Sequence, residues 1–134
     1  MKISKYRNKK VSFNGEEFNS KRELQRFLVL KDAESKGIIQ NLQKQVKFEL
    51  IPKIEEDVVI HLKTRDKIQR KTIQQPITYK ADFVYEKDGV MVVEDVKASA
   101  SMRALDKVFL IKEKLFRWKY GFSIKRVYKP NDVI

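Results

Sequence analysis

Three charged side chains interrupt an apolar hairpin pattern in the middle of the chain, and their types and spacing could do chemistry. Ala81-Asp82-Phe83-Val84-Tyr85 and Val90-Met91-Val92-Val93-Glu94-Asp95-Val96-Lys97 flank a Lys87-Asp88-Gly89 turn. Two runs rich in β-branched and aromatic residues around such a turn are a strong hairpin signal. Strand side chains alternate, so Asp95 and Lys97 share one face while Glu94 and Val96 point the other way. A turn at 87–89 brings Asp82 close to residues 93–95. Two carboxylates and an ammonium then meet at one end of a hairpin. Carboxylates so placed can hold a divalent cation, and a lysine beside them can orient a water or offset charge on a phosphate. Charged residues at strand ends are also common as solvated ion pairs, so the rest of the chain has to decide.

The elements that must position these groups are legible in the flanking sequence. Asn14-Gly15 between Phe13 and Phe18 predicts a small hairpin. Ser20 followed by Glu23 is a capping-box pattern, and Leu24, Phe27, Leu28 and Leu30 continue at helical spacing to about Lys36, before Gly37. Glu23 is thus explained as a capping acid, yet the first turn of a helix is also a natural place for an acid to face a neighbouring site. Gln43–Ile51 alternates as a strand, with Val46, Phe48 and Leu50 toward the core and Gln45, Lys47 and Glu49 away from it.

Residues 53–75 read as a basic insertion between two sheet strands, with a possible strand at Val58–Leu62. Within Lys63–Lys71, Lys63, Arg65, Lys67, Arg70 and Lys71 stand against the single acid Asp66. The stretch is either an exposed loop or a DNA-contacting flap. Ile77–Tyr85 is the next strand. A second helix is predicted from about Met102 to Lys119, with an apolar face of Ala104, Val108, Ile111, Leu115 and Trp118, widened by Leu105, Phe109 and Phe116. Trp118 at that spacing reads as core. Phe122–Tyr128 forms a last strand. The order is helix, strand, strand, strand, helix, strand. It predicts an α+β sandwich around a mixed four-stranded sheet, with an antiparallel trio and one parallel strand after a helical crossover.

A chain of 134 residues supports one domain, 13–134, behind a basic flexible arm at 1–12. No apolar run approaches the roughly 18–20 residues of a membrane span, and no apolar stretch follows the basic N-terminus as a secretory signal requires. A cytoplasmic setting is expected. Cysteine is absent and His61 is the single histidine, which removes thiolate chemistry, cysteine-bound zinc and a histidine-rich metal site. The formal net charge of +12 points to an anionic partner, of which nucleic acid is the commonest.

The acid at a strand start, then Asp95-Val96-Lys97 at the end of the next strand, resembles the PD-(D/E)XK nuclease superfamily. More narrowly, the chain is similar to a phage-associated family long catalogued as a domain of unknown function and grouped with these nucleases. The likeness is carried by Phe18-Asn19-Ser20-Lys21-Arg22-Glu23, Gly37-Ile38-Ile39, Leu42, Gln45, Phe48-Glu49-Leu50-Ile51-Pro52, Tyr79–Tyr85 and Glu94–Lys97, over about residues 13–128. Ala81 departs from the proline of the nominal motif, a residue that performs no chemistry.

The resemblance implies a restriction-endonuclease-like core. It makes Asp82 and Asp95 metal ligands together with the Val96 carbonyl, and Lys97 the active-site lysine. Glu23 becomes a helix-borne acid at the metal or water, and Gln45 a further polar group facing the site. Asp95 is preferred over Glu94 because it shares the face of Lys97, with Glu94 as an alternative ligand or a salt-bridge partner on the opposite face. The implied reaction is phosphodiester hydrolysis of DNA with Mg²⁺, for which Mn²⁺ can substitute, and no small-molecule cofactor or membrane is involved. Lys9 and Lys10 of the arm, the 63–71 segment, and Arg103 and Lys107 at the second helix would hold the DNA backbone. A structure-specific enzyme of the Holliday-junction resolvase kind, acting in recombination, replication or packaging, would predict a homodimer. The contrasting expectation is a non-catalytic basic DNA-binding protein on the same fold.

Overall fold

The computed structural model describes residues 9–98 and 106–134. Its first element is a small hairpin of β1 (Val11–Phe13) and β2 (Glu16–Phe18). Asn14 and Gly15 both take positive φ, 49° and 80°, the geometry of a tight two-residue turn. Val11 and Ser12 therefore belong to a strand and not to a flexible arm. Lys2, Lys5 and Arg7 of that arm lie outside the described residues.

Helix α1 (Lys21–Ser35) starts where Ser20 Oγ accepts the Glu23 backbone N–H at 3.2 Å, and it ends before Gly37, whose φ is +76°. Strand β3 (Gln40–Ile51) begins three residues before the predicted start. It leads into a separate two-stranded hairpin of β4 (Ile54–His61) and β5 (Asp66–Gln74). The sequence allowed only a loop or flap over 63–71, but Asp66–Lys71 is regular strand. Its alternation was masked because both faces of this hairpin are largely wet, so no apolar period of two develops.

Strands β6 (Ile77–Lys87) and β7 (Val90–Val96) form the central antiparallel pair. Helix α2 (Lys107–Tyr120) and the short strand β8 (Lys125–Val127) close the chain. The sheet order is β3-β6-β7-β8, antiparallel except for the parallel β7–β8 pair, so the molecule is α+β with a mixed four-stranded sheet and two helices. The predicted helix turns at 102–105, and Arg103 with them, lie outside the described residues. Asp106 caps the described helix by accepting the Val108 N–H.

Each sheet face carries one apolar cluster. Phe18, Phe27, Leu30, Ala33, Ile39, Phe83 and Tyr85 fill the side of α1. Leu50, Tyr79, Ala81, Val84, Val93, Phe109, Phe116 and Ile124 fill the side of α2. The face that α2 buries corrects the prediction. Phe109, Glu113 and Phe116 are buried, while Val108, Ile111 and Trp118 are exposed. The two stripes are adjacent on the helix and similarly apolar, and the larger aromatic pair Phe109/Phe116 takes the core because it meets Tyr79 and Phe48 edge-on or tilted.

One irregularity positions the site. In β6, Tyr79 and Ala81 face α2, whereas Phe83 and Tyr85 face α1. Strict alternation would put all four on one side. The side-chain order inverts at Asp82. Its register partner in β3 is Gln45, between the pairs Val46↔Ala81 and Lys44↔Phe83, and Gln45 takes a left-handed φ of 55°. Both strands thus swivel at the same rung.

Candidate active site

The swivel places Asp82 at the boundary between the two layers, where it can meet side chains from both. The β6–β7 ladder reaches Phe83↔Glu94, and beyond it the Asp82 carboxylate accepts the backbone N–H of Val96 at 2.8 Å. From the α1 side, Gln45 Nε2 donates to Glu23 Oε1 at 2.5 Å and stands 3.5 Å from Asp82 Oδ1. From the α2 side come Asp95 and Lys97, which follow Val93 on one face of β7. Lys97 Nζ lies 3.0 Å from Asp95 Oδ1, and the Tyr79 hydroxyl donates to Asp95 Oδ2 at 2.6 Å. The ammonium of Lys97 also sits 3.4 Å from the centroid of the Phe109 ring, which fixes it over an aromatic face. Its backbone N–H extends the β7–β8 ladder by donating to the Val127 carbonyl.

The electrostatics follow from crowding three acids around one ammonium. The Asp82 carboxyl is pushed up to about 7, first by burial and then by the negative charges of Asp95 and Glu23. The Val96 N–H and Lys97 act in the opposite direction. Glu23 is raised as well, chiefly by burial, with the Gln45 hydrogen bond and the charge of Lys44 holding it down. Tyr79 is raised by burial and by Asp95, so it stays a proton donor to that carboxylate. Such a site carries surplus negative charge that a divalent cation would neutralise. Among the described residues no three His, Cys, Asp or Glu side chains converge on a single point.

Glu94 takes no part in this cluster. It is fully buried on the α1 side, gripped by Arg26 Nε and Nη2 at 2.8 and 2.7 Å and by the Tyr85 hydroxyl. Arg26 also donates to the carbonyls of Pro130 and Asp132 at 3.0 and 2.6 Å, tying α1 and the C-terminal tail to β7. Sequence reasoning missed Arg26, since a lone arginine on a helix ordinarily reads as solvated. A second missed pair, Glu113 and Arg126, joins α2 to β8 in a two-pronged contact at 2.7 and 2.6 Å, beside Asp95 in the sheet register.

A cleft of about 460 Å³ opens next to Lys97, lined by Lys9, Val11, Ser20, Lys21, Arg22, Val96, Lys97 and Ala98. Of the predicted DNA-contacting residues that are described, only Lys9 lines it. Lys10 and Lys107 are exposed elsewhere, Lys63 and Arg65 sit in the turn of the β4–β5 hairpin, and Lys67 and Lys71 project from β5. Arg70 is neutralised by Glu55 and Asp57 at 2.9 and 3.3 Å. Lys21 and Arg22 were overlooked, although their position carries a signal. Cations in the first turn of a helix oppose the helix dipole, which favours anions there.

No helix among the described residues is long and apolar enough to cross a membrane. Residues 3–129 match the model of a family described as a protein of unknown function, DUF1064. No curated protein and no solved structure matches the chain.

Proposed function

This chain belongs to the DUF1064 family of proteins of unknown function, and we propose that it is a metal-dependent endodeoxyribonuclease of the PD-(D/E)XK kind, phage-type in character. The observation that carries the reading is the meeting of Asp82, Asp95 and Lys97 at the splayed end of the β6–β7 pair, beside a cleft lined by Lys9, Lys21 and Arg22. Asp82 and Asp95, with the Val96 carbonyl, would hold Mg²⁺ or Mn²⁺, and Glu23 would serve it from the α1 side. The ion, when bound, supplies a Lewis acid for a phosphate oxygen and a water of lowered pKa.

The chain's own residues do the rest. Tyr79 fixes the Asp95 carboxylate, Gln45 fixes Glu23, and the Val96 N–H fixes Asp82. Lys97, held over Phe109, offsets the negative charge that grows on a phosphate in attack. The cleft cations would take flanking phosphates without reading bases, which favours a substrate chosen by shape, such as a branched junction.

Labelled four-way junction, flap, single-stranded and plain duplex DNA, each with Mg²⁺, Mn²⁺ or EDTA, test the reading. Metal-dependent cutting by the native chain that disappears in Asp82→Ala supports it. Cutting that persists in Asp82→Ala refutes the site. A second reading, a non-catalytic DNA-binding protein, draws on the hydrogen bonds that already satisfy both aspartates and on the fact that, among the described residues, no three acids converge on a single point. Tight binding with no cutting of any substrate would select it.

A further inference from the structure

The stripe that α2 leaves largely outside the core is apolar and regularly spaced. Val108, Ile111, Leu115 and Trp118 recur at intervals of three, four and three, the spacing by which one helix packs against another. Val108 is 54 % exposed, Ile111 59 % and Trp118 79 %, with Leu115 half-buried at the margin of the core. Pro76, Ile77 and Thr78 extend the stripe into a groove of about 400 Å³ between the helix and the start of β6. Among the described residues nothing covers it. Three exposed apolar side chains at helical spacing beside a groove, on a chain with a net charge of +12, point to an interaction site.

The flanks of the stripe say what fits. Positions bordering a two-helix seam are Lys107 and Lys114 on one side, Lys112 and Lys119 on the other. Lys119 already bonds Glu49, at 2.8 Å to its carbonyl and 3.5 Å to its carboxylate. Lys107, Lys112 and Lys114 have no ion-pair partner among the described residues. A second copy of α2 laid along this seam would set lysine against lysine, in either orientation, and like charges at flanking positions select against self-pairing. Duplex DNA would welcome the lysines but gives a four-residue apolar ridge nothing to bury against.

We propose that this face of α2 docks an amphipathic helix of another protein, one with apolar residues along its seam and Asp or Glu on both flanks. Such a partner would seat its seam in the groove beside Ile77 and pair its acids with Lys107, Lys112 and Lys114. The stripe shares no residue with the Asp82–Asp95–Lys97 cluster, whose lysine rests on Phe109 of the other stripe, and the proposal stands whether or not that cluster cuts DNA.

Trp118 is the chain's single tryptophan, so its fluorescence reports this face directly. The probe is a synthetic three-heptad helix free of tryptophan, with Leu and Ile in its seam and Glu at both flanks. A sister peptide carries Lys at the flanks. Titration into the full chain should shift the emission of Trp118 to the blue with the Glu peptide and bind the Lys peptide at least tenfold more weakly. Ile111→Glu should abolish the Glu-peptide signal while leaving the circular dichroism and melting temperature close to native.

No shift with the Glu peptide, or equal affinity for both peptides, overturns the proposal. Concentration-dependent dimerisation of the native chain that Ile111→Glu removes would overturn it in favour of a second copy. Loss of duplex binding in Ile111→Glu would overturn it in favour of nucleic acid.

Discussion

The Asp82 carboxylate takes the backbone N–H of Val96 at 2.8 Å, where a strand carbonyl would otherwise have continued the ladder. That bond keeps two neighbouring strands together at the point where their side chains part, and it holds a carboxylate in a pocket already occupied by Asp95 and Glu23. The carboxyl sits at about 7 against an ordinary 3.8. A raised acid costs the fold stability wherever it is ionised. The cost is absent below about pH 4, grows as the pH rises toward 7, and is complete above that.

Metal-free native protein should therefore lose stability between pH 4 and pH 7. Asp82→Asn keeps an acceptor for Val96 and removes the charge, so in EDTA at pH 8 it should be more stable than native by on the order of 2–3 kcal/mol. The gain should vanish near pH 4. Urea melts at the two pH values check this, and a variant less stable at pH 8 would mean that Asp82 is not under electrostatic load. Adding Mn²⁺ should raise the native melting temperature and leave that of Asp82→Asn unmoved.

Lys97 makes a different kind of prediction, because it holds charge and not structure. It pairs with Asp95 and lies on Phe109, and its removal leaves Asp95 with the Tyr79 hydrogen bond. Lys97→Ala should lower the rate of DNA cleavage by about 10²–10³-fold, the usual loss for one electrostatic donor at a developing charge. Affinity for the same DNA should change by less than tenfold. Single-turnover cleavage beside equilibrium binding separates the two, and a parallel loss of both would make Lys97 a binding residue only.

The buried pair on the other face bears on the fold itself. Arg26 and Glu94 are both shielded from water, and Arg26 reaches the tail through two carbonyls. Arg26→Met leaves a buried carboxylate that keeps, among the described residues, the Tyr85 hydroxyl and, at 3.9 Å, Lys125. A loss of about 3–5 kcal/mol is expected from breaking one half of such a pair. The double change Arg26→Met with Glu94→Leu should recover much of it, since neither charge then needs a partner. Denaturant titrations of the single and double variants decide, and additive losses would show that the pair is not coupled.

Which parts of this architecture could be read without coordinates depended on how locally each was encoded. The hairpin at 81–97, the Ser20 cap and the α1 stop at Gly37 rest on neighbours in sequence, and those segments fold as expected. Asp95 and Lys97 share a face for the same reason. The swivel at Gln45 and Asp82 could not be read, because it belongs to a pair of strands crossing at one rung and leaves no mark in either strand's alternation. Nor could Arg26 be paired with Glu94, 68 residues away. The α2 stripe was legible as a pattern and misassigned as core. Periodicity gives a face, and only the competing aromatic face of Phe109 and Phe116 shows which of the two is buried.

The two cationic regions, finally, can be told apart by their effect on stability as well as on DNA. Lys21 and Arg22 occupy the first turn of α1, where a positive charge works against the helix dipole by typically 0.3–1 kcal/mol. Lys21→Glu should therefore stabilise the free protein by a few tenths of a kcal/mol or more, while weakening its hold on DNA. If the cleft beside Lys97 carries the backbone, the slope of log affinity against log salt should fall by about 1 for the lost cation. Replacing Lys63, Arg65 and Lys67 with Ala tests the β4–β5 hairpin in the same way. A drop of about 3 in the slope places duplex along the hairpin tip. If Lys21→Glu gains stability with affinity and slope unchanged, the cleft is not the path of the DNA, and the two basic residues there need another anion.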